Sequence, residues 1–403
     1  MPIGLNGNSS FTSAQFPSPR LDGNVQRFYT FASAFTERTT ASNTFTEVYS
    51  GSTGVSGVAM KGIIQAGNGF VYVFPADGGQ VLKFDPKTEA AMERPAGLTN
   101  MMQTRQSASI HLDDSGRYIY IFSTQENQSR GIRRIDTQTD TMTTISGTNS
   151  ASRMSGVKAP NGHIYFFPYF TNSANSFTKF NMDTETFSTF GPALVPNIHG
   201  WNITLAAGVA LDGKIYAVMR DKIAVVDPMT DSITWDSGLG LGLSSSGGAA
   251  YRWSCAVLAP NGCFYVPSAN TGITSSVLKV NPAGPSGLTF SFIPYTTTIN
   301  RNRGTIGADG YLYFTTQYTG INTNVMRIDW RTDAISVFGS GRVNRCCDHA
   351  SDMTLASNGS IYVSVKDQGG FLQKINTGVS RSIPEGFHLS RYVKNSGNAG
   401  TAD

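Results

Sequence analysis

Charged side chains are scarce: Asp, Glu, Lys and Arg make up 14% of the 403 residues, against roughly 25% in an ordinary soluble domain. Coiled coils and charge-laced helical bundles are excluded on that ground, and Ser, Thr, Asn, Gln and Gly must cover the surface. The signs nearly balance, 31 basic against 27 acidic for a formal net charge of +4. That is too mild for a specific nucleic-acid partner. Cysteine is rare, with four residues, so no disulfide framework holds the chain. There is no apolar run of the roughly 18 residues that a membrane-spanning helix needs. The opening Met1-Pro2-Ile3-Gly4-Leu5-Asn6-Gly7 has neither the basic region nor the apolar core of a secretory signal. Amphipathic helical periodicity is missing throughout. The four Asn-x-Ser/Thr triplets, at Asn8, Asn127, Asn202 and Asn358, are expected by chance in so Asn- and Thr-rich a chain.

A repeat fills this space. The phrase Asn/Asp-Gly-x-apolar-Tyr first appears as Asn68-Gly69-Phe70-Val71-Tyr72 and recurs, with small variations, around Tyr120, Tyr165, Tyr216, Tyr265, Tyr313 and Tyr362. These seven tyrosines are separated by 48, 45, 51, 49, 48 and 49 positions. A second phrase follows each first one: a cation, an apolar residue, then Asp or Asn. Examples are Lys83-Phe84-Asp85, Arg134-Ile135-Asp136 and Lys279-Val280-Asn281; the fourth copy, Val225-Val226-Asp227, lacks the cation. Several copies continue to a Thr, as in Asp85-Pro86-Lys87-Thr88. Asn-Gly and Asp-Gly are hairpin signals, and Asp followed by Pro is tight-turn chemistry. The recurring Asp85, Asp136, Asp227 and Asp329, replaced by Asn181, Asn281 and Asn376 elsewhere, therefore read as turn formers rather than as acid–base groups.

Each unit reads as four antiparallel strands, and several Tyr strands are apolar without a break, as in Phe70-Val71-Tyr72-Val73-Phe74. Unbroken runs imply burial on both faces, as in a sheet packed between two neighbours. The expected fold is all-β: a seven-bladed β-propeller of four-stranded antiparallel blades. An open ring would expose a sheet edge. Residues 43–50, Asn43-Thr44-Phe45-Thr46-Glu47-Val48-Tyr49-Ser50, resemble the last strands of other blades and are expected to supply the outer strand of the seventh; the competing choice is Val379 to Ile383. The division is then an extended N-terminal arm at 1–42, a propeller at 43–390 and a polar tail at 391–403. On these residues the chain resembles the kelch-like and NHL-like repeat propellers, and not the WD type, whose Gly-His and Trp-Asp signatures are missing.

Candidate chemistry falls on the loops between blades, the usual place for binding on a rigid scaffold. Arg105, Arg153, Arg252, Arg301, Arg303 and Arg345 lie just ahead of inner strands. A ring of Arg105, Arg153, Arg252, Arg303 and Arg345 could engage carboxylates, sulfates or phosphates, or simply solvate the channel mouth. Cys346-Cys347-Asp348-His349 lacks zinc-site spacing, and Cys255 and Cys263 flank one turn as free thiols or a cross-strand bridge. The glycines of 238–248 lack both the spacing of a phosphate loop and a following helix. No catalytic set, metal site or cofactor emerges from the residues.

The charge-poor surface and aperiodic arm resemble those of virion propellers, such as the nozzle proteins of short bacteriophage tails. That resemblance implies a non-enzymatic docking platform located in the virion. Its partners would be other virion proteins and copies of itself, with a host-surface glycan or receptor as a further partner. The alternatives are a propeller lyase or lactonase with substrate at the channel mouth, and a carbohydrate- or protein-binding surface module.

Overall fold

A computed structural model describes residues 44–49, 60–75, 77–90, 93–99, 101–103, 109–122, 132–145, 153–168, 177–191, 206–218, 223–236, 255–267, 276–284, 287–295, 301–316, 325–338, 350–365 and 372–378. Seven antiparallel sheets follow one another along the chain as the blades of a propeller. Blade 1 is built from Met60–Gln65, Val71–Pro75 and Leu82–Phe84; blade 2 from Ser109–Leu112, Tyr118–Phe122, Ile132–Asp136 and Thr141–Ile145. Blade 3 comprises Arg153–Lys158, His163–Pro168, Phe177–Asn181 and Thr186–Phe190; blade 4 Ala206–Val209, Ile215–Val218, Ile223–Asp227 and Ser232–Asp236. Blade 5 runs Val257–Leu258, Phe264–Pro267, Ser276–Gly284 and Gly287–Pro294; blade 6 Arg301–Ile306, Leu312–Thr316, Val325–Asp329 and Ala334–Phe338. Blade 7 contributes Ala350–Leu355, Ile361–Val365 and Leu372–Asn376, and its outer strand is Thr44–Tyr49, paired as Thr44↔Asn376 and Thr46↔Lys374. The two ends of the propeller are thus zipped in one sheet, by the segment expected. The Val379–Ile383 alternative, the arm at 1–42 and the tail at 391–403 lie outside the described residues.

Blade 1 is the least regular: among the described residues its sheet has three strands, with an isolated bridge, Lys83↔Glu93, beside the third. A short 3-10 turn, Ala96–Leu98, covers that edge, with Leu98 fully buried and its carbonyl accepting the Val81 N–H.

The turns behave as their chemistry requires. Gly69, Gly162, Gly213, Gly262, Gly310 and Gly359 all sit at φ between 79° and 88°, where a side chain is strained. In the other turn, the side-chain oxygen of Asp85, Asp136, Asn181, Asp227, Asn281, Asp329 and Asn376 accepts the N–H two residues on, at 2.8–3.1 Å. An Asx turn needs only that oxygen, which is why Asp and Asn interchange there.

The repeated tyrosine does more than fill the core. Tyr72, Tyr165, Tyr265, Tyr313 and Tyr362 are among the largest fully buried side chains, and a buried hydroxyl needs a partner. Tyr72 Oη donates to Asp140 Oδ1 of the next blade at 2.9 Å, and Lys83 Nζ meets Asp140 Oδ2 at 2.5 Å. The same latch recurs as Tyr120 and Arg134 on Glu185, Tyr165 and Lys179 on Asp231, and Tyr265 and Lys279 on Asp333. It closes the ring as Tyr362 and Lys374 on Glu89. Each acid stands directly after the turn Thr, at φ between 50° and 58°. The second phrase therefore extends one residue further than its turn role demands.

Two joints lack the latch. Between the third and fourth strands of blade 5 the sequence Asn281-Pro282-Ala283-Gly284-Pro285-Ser286-Gly287 contains no acid to offer blade 4. Blade 7 takes its outer strand from residues 44–49, so no such turn faces blade 6. At these two places the hairpin carries Asp-Gly rather than Asn-Gly. Tyr216 donates to its own Asp212 at 2.9 Å, and Tyr313 to its own Asp309 at 2.5 Å. At latched joints Asn68, Asn161 and Asn358 instead donate Nδ2–H to the tyrosine oxygen, at 2.8–3.0 Å. A phenol has one proton to give. At these three joints, where the neighbour supplies a carboxylate, the turn residue acts as a donor, and where no carboxylate comes across, the turn residue is the acceptor; blade 2, latched to Glu185, carries Ser115 in that place.

Candidate functional site

The inner two strands of every blade share one register, so equivalent positions can be compared around the ring. The residue opposite the repeated tyrosine is Ile64, His111, Val157, Gly208, Val257, Thr305 or Thr354 in blades 1 to 7. Two residues past the tyrosine stand Phe74, Phe122, Phe167, Val218, Pro267, Thr315 and Ser364. Across from Thr315 is Arg303, and across from Ser364 is Asp352. These positions pack against the inner strand of the following blade, where space is tight. A Cβ on Gly156 would lie 2.7 Å from Ser109 Oγ and 2.9 Å from His111 Nε2; one on Gly304 would lie 2.5 Å from Val257 Cγ2.

Blades 6 and 7 break the apolar rule here. Arg303, Thr305, Thr315, Asp352, Thr354 and Ser364 are all buried, none more than 5% exposed. Arg303 Nε stands 3.9 Å from Asp352 Oδ1, an ion pair beyond hydrogen-bond reach. Asp352 is held by the N–H of Ile63 in blade 1 (3.2 Å) and by its neighbour Met353 (3.0 Å), while Ser364 Oγ donates to the Asp352 carbonyl. The carboxylate thus links blades 6, 7 and 1 near the chain's closure. Burial lowers the Arg303 pKa, opposed by the nearby Asp352. Thr315 Oγ1 is buried with no hydrogen-bond partner. An orphaned buried hydroxyl costs about 1–3 kcal/mol, and packing alone would have been served by the Phe or Val found at this position in blades 1 to 4. Blade 2 shows the self-satisfied alternative: Ser109 Oγ and His111 Nε2 bond each other at 2.7 Å, and Gly156 N–H donates to Ser109.

Of the five arginines expected to ring the channel mouth, only Arg303 has a described side chain. It faces Asp352 inside the ring wall and is not a solvated mouth residue. Arg153 and Arg301 begin inner strands whose pairings are described. Arg105, Arg252, Arg345 and the Cys346–His349 cluster lie outside the described residues, as do the glycines of 238–248. Cys255 and Cys263 are buried free thiols, not a cross-strand bridge. Among the described residues no group of three or more His, Cys, Asp or Glu side chains is gathered as a metal site.

Two other surfaces are shaped by the fold. A polar cleft of about 430 Å³ lies between blades 2 and 3 at the turn end, lined by Asp113, Asp114, Tyr118, Asp183 and the Arg134–Glu185 latch. The rim is formed by outer strands. Those of blades 2 to 6 carry no Lys or Arg and a single acid, Asp236. Phe292 and Val337 lie exposed on it, at 41% and 37%. Edge strands are commonly guarded by charge; these are not.

The latch acids were the feature most readily missed in the sequence, although Thr-Glu or Thr-Asp recurs at 88–89, 139–140, 184–185, 230–231 and 332–333. The wedge residues had a weaker signal, polar letters at positions where the other repeats are apolar or small except for His111 in blade 2.

No family model matches the chain, and no curated protein matches it. Solved structures do. Virginiamycin B lyase from Staphylococcus aureus superposes with a TM-score of 0.60 at 12% identity, over 83% of this chain and 99% of that one. The likeness is one of fold. The extracellular domain of a putative one-component system from B. thetaiotaomicron gives 0.56 at 12% identity, covering 81% of this chain and 39% of that chain. The Cps50 (Swd1) β-propeller domain of Myceliophteria thermophila gives 0.53 at 11%, covering 84% and 100%. A lyase, the extracellular domain of a one-component system and a Swd1 propeller share this architecture, so the fold does not choose among their activities.

Proposed function

We propose that this chain is a non-enzymatic docking platform, and more specifically a structural component of a virus particle that binds neighbouring subunits through its rim. The observation that carries the reading is the cation-free rim of blades 2 to 6: five consecutive blades present outer strands free of Lys and Arg. Unguarded edges suit pairing or packing against another chain. Several such edges on one ring make docking multivalent, so each contact can be weak. The interblade latches support the same reading, because they hold the blades in fixed relative positions, as a platform requires. The charge-poor, Ser-, Thr- and Asn-rich composition supports the virion setting.

Immunogold electron microscopy of particles purified from the source should label one fixed place on them. A chain found only free of particles would overturn the virion reading. The docking claim has its own test: Thr189→Lys, Thr234→Lys and Phe292→Lys combined should leave circular dichroism and Tm nearly unchanged while abolishing incorporation. Incorporation at the wild-type level would remove the rim from the interface.

A further inference from the structure

We propose that the polar cleft between blades 2 and 3 is a binding site for an alkylguanidinium, which takes the place that an asparagine side chain fills at the other latched joints. The repeat makes the comparison direct. Asn68, Asn161, Asn261 and Asn358 each send Nδ2–H across a joint to a backbone carbonyl of the next blade, that of Thr137, Pro228, Trp330 or Pro86, at 2.6–3.3 Å. Each carbonyl belongs to the residue directly after the turn Asp, and the equivalent residue in blade 3, after Asn181, is Met182. No asparagine reaches it. Blade 2 carries Ser115 in that place, five residues rather than four ahead of its tyrosine, and the Ser115 hydroxyl stays within its own turn, on Asp113. Among the described residues only the Tyr120 phenol reaches the Met182 carbonyl, at 3.2 Å. The space the asparagine would have bridged is the cleft of about 430 Å³, with Tyr120 and Met182 in its wall.

The wall selects the ligand. The blade 3 turn offers three acceptors to the cleft. One is the Met182 carbonyl. The second is the Asp183 carboxylate, which accepts no hydrogen bond among the described residues. The third is Glu185, which receives both Tyr120 and Arg134 on Oε1 and leaves Oε2 over. A group that meets all three must donate only, as an ammonium or a guanidinium does. Charge agrees, since Asp113, Asp114, Asp183 and Glu185 line the cleft against Arg134, and Lys158 offsets Asp114 alone. An ammonium is a compact point charge, whereas a planar guanidinium spreads five N–H groups over separate acceptors. This proposal is independent of rim docking and of the virion reading.

The test is titration calorimetry of the full chain with acetyl-arginine amide, against its lysine and citrulline counterparts at equal ionic strength. The arginine compound should bind one-to-one, the lysine compound more weakly, and citrulline, which has the shape without the charge, not measurably. Methylguanidinium separates two sources of the ligand: binding as tight as that of the arginine compound assigns a free small guanidine, and much weaker binding assigns an arginine of a polypeptide. Asp183 is exposed and its carboxylate holds no part of the fold, so Asp183→Asn should keep the wild-type circular dichroism and weaken binding about tenfold. Asp236→Asn, which removes the same charge from the rim of blade 4, should leave binding unchanged. Equal binding of the lysine compound would overturn the guanidinium assignment. Wild-type affinity in Asp183→Asn, an equal loss in Asp236→Asn, or no saturable binding by the wild-type chain would overturn the site.

Discussion

At the joint between blades 3 and 4, Asp231 reaches across to accept Tyr165 and to pair with Lys179. At the joint between blades 6 and 7, Tyr313 turns back to Asp309 of its own turn, and Arg327 Nε donates to Ser336 within its own blade. The packing compensates. The largest apolar cluster runs without a break from blade 4 through blades 5 and 6 to blade 7. The clusters at the joints 7/1, 1/2, 2/3 and 3/4 are separate, each confined to one pair of blades. Both unlatched joints fall inside this cluster, and so does the latched joint between blades 5 and 6, so continuous apolar packing accompanies the missing latches without excluding a latch. The polar wedge lies at one of the two joints without a latch.

Breaking a latch should give the largest effect. Asp231→Ala removes the acceptor of a buried phenol and the partner of a mostly buried ammonium, and places Ala at φ 56°. Loss of the partners should cost about 2–3 kcal/mol, and the left-handed backbone about 1 more. Asp231→Gly relieves the strain alone and should recover that last portion. At the unlatched joint, Asp212→Ala strands only the Tyr216 hydroxyl and should cost about 1–2 kcal/mol. Urea denaturation of the three variants measures the difference; equal losses for Asp231→Gly and Asp212→Ala would mean that the cation adds nothing.

Two acids, Glu89 at a latched joint and Asp309 at an unlatched one, should respond to acid with opposite signs. Burial alone would raise the Glu89 pKa, but hydrogen bonds from Lys374 and Tyr362 bring it below the ordinary range. Its contribution is thus present above the unfolded-state pKa and lost as pH falls through the folded value. Asp309 is the reverse: burial pushes it up to about 6, against the hydrogen bonds from Tyr313 and Tyr311. Its contribution is complete below the unfolded value of about 3.9 and is lost as pH rises towards 6. Asp309→Asn removes that titration. Its stability relative to wild type should improve by about 2–3 kcal/mol between pH 3.5 and pH 7, read from denaturation midpoints across the range. A pH-independent gap would show that Asp309 titrates normally.

The architecture was legible because seven tyrosines at nearly constant spacing impose a strand register, and because Asn-Gly needs left-handed glycine wherever it occurs. Closure by residues 44–49 was legible from the likeness of Thr44-Phe45-Thr46 to other outer strands. In blade 1 nothing in the sequence announces the isolated bridge that Glu93 makes to Lys83 beside the third strand. Asn-Gly and Asp-Gly read alike as hairpin signals. Which of the two is needed depends on whether an acid stands 70 to 72 residues further on, or, at ring closure, near the other end of the chain. Nor does the position of Arg303 ahead of an inner strand distinguish a mouth residue from a wall residue. That choice depends on the following blade, where Asp352 waits.

The smallest effect tests the logic of the turn residue itself. Asn261 donates to the Trp330 carbonyl at 3.3 Å beside Tyr265, whose hydroxyl already serves Asp333 at 2.6 Å. Asn261→Asp would strand that carbonyl and set a second carboxylate against a phenol with one proton. The loss should be about 1 kcal/mol at pH 7 and should fade below pH 4, as the new carboxyl, raised by its neighbour, takes up a proton. Asp333→Asn alone deprives Lys279 and Tyr265 of their charged acceptor. Combining the two converts the joint to the self-contained arrangement of blades 4 and 6, in which the turn carboxylate takes the phenol. The double variant should then be more stable than the sum of the single losses by about 1 kcal/mol. Strict additivity would mean that turn identity and latch acid are uncoupled, and that the match between Asp-Gly turns and unlatched joints is coincidence.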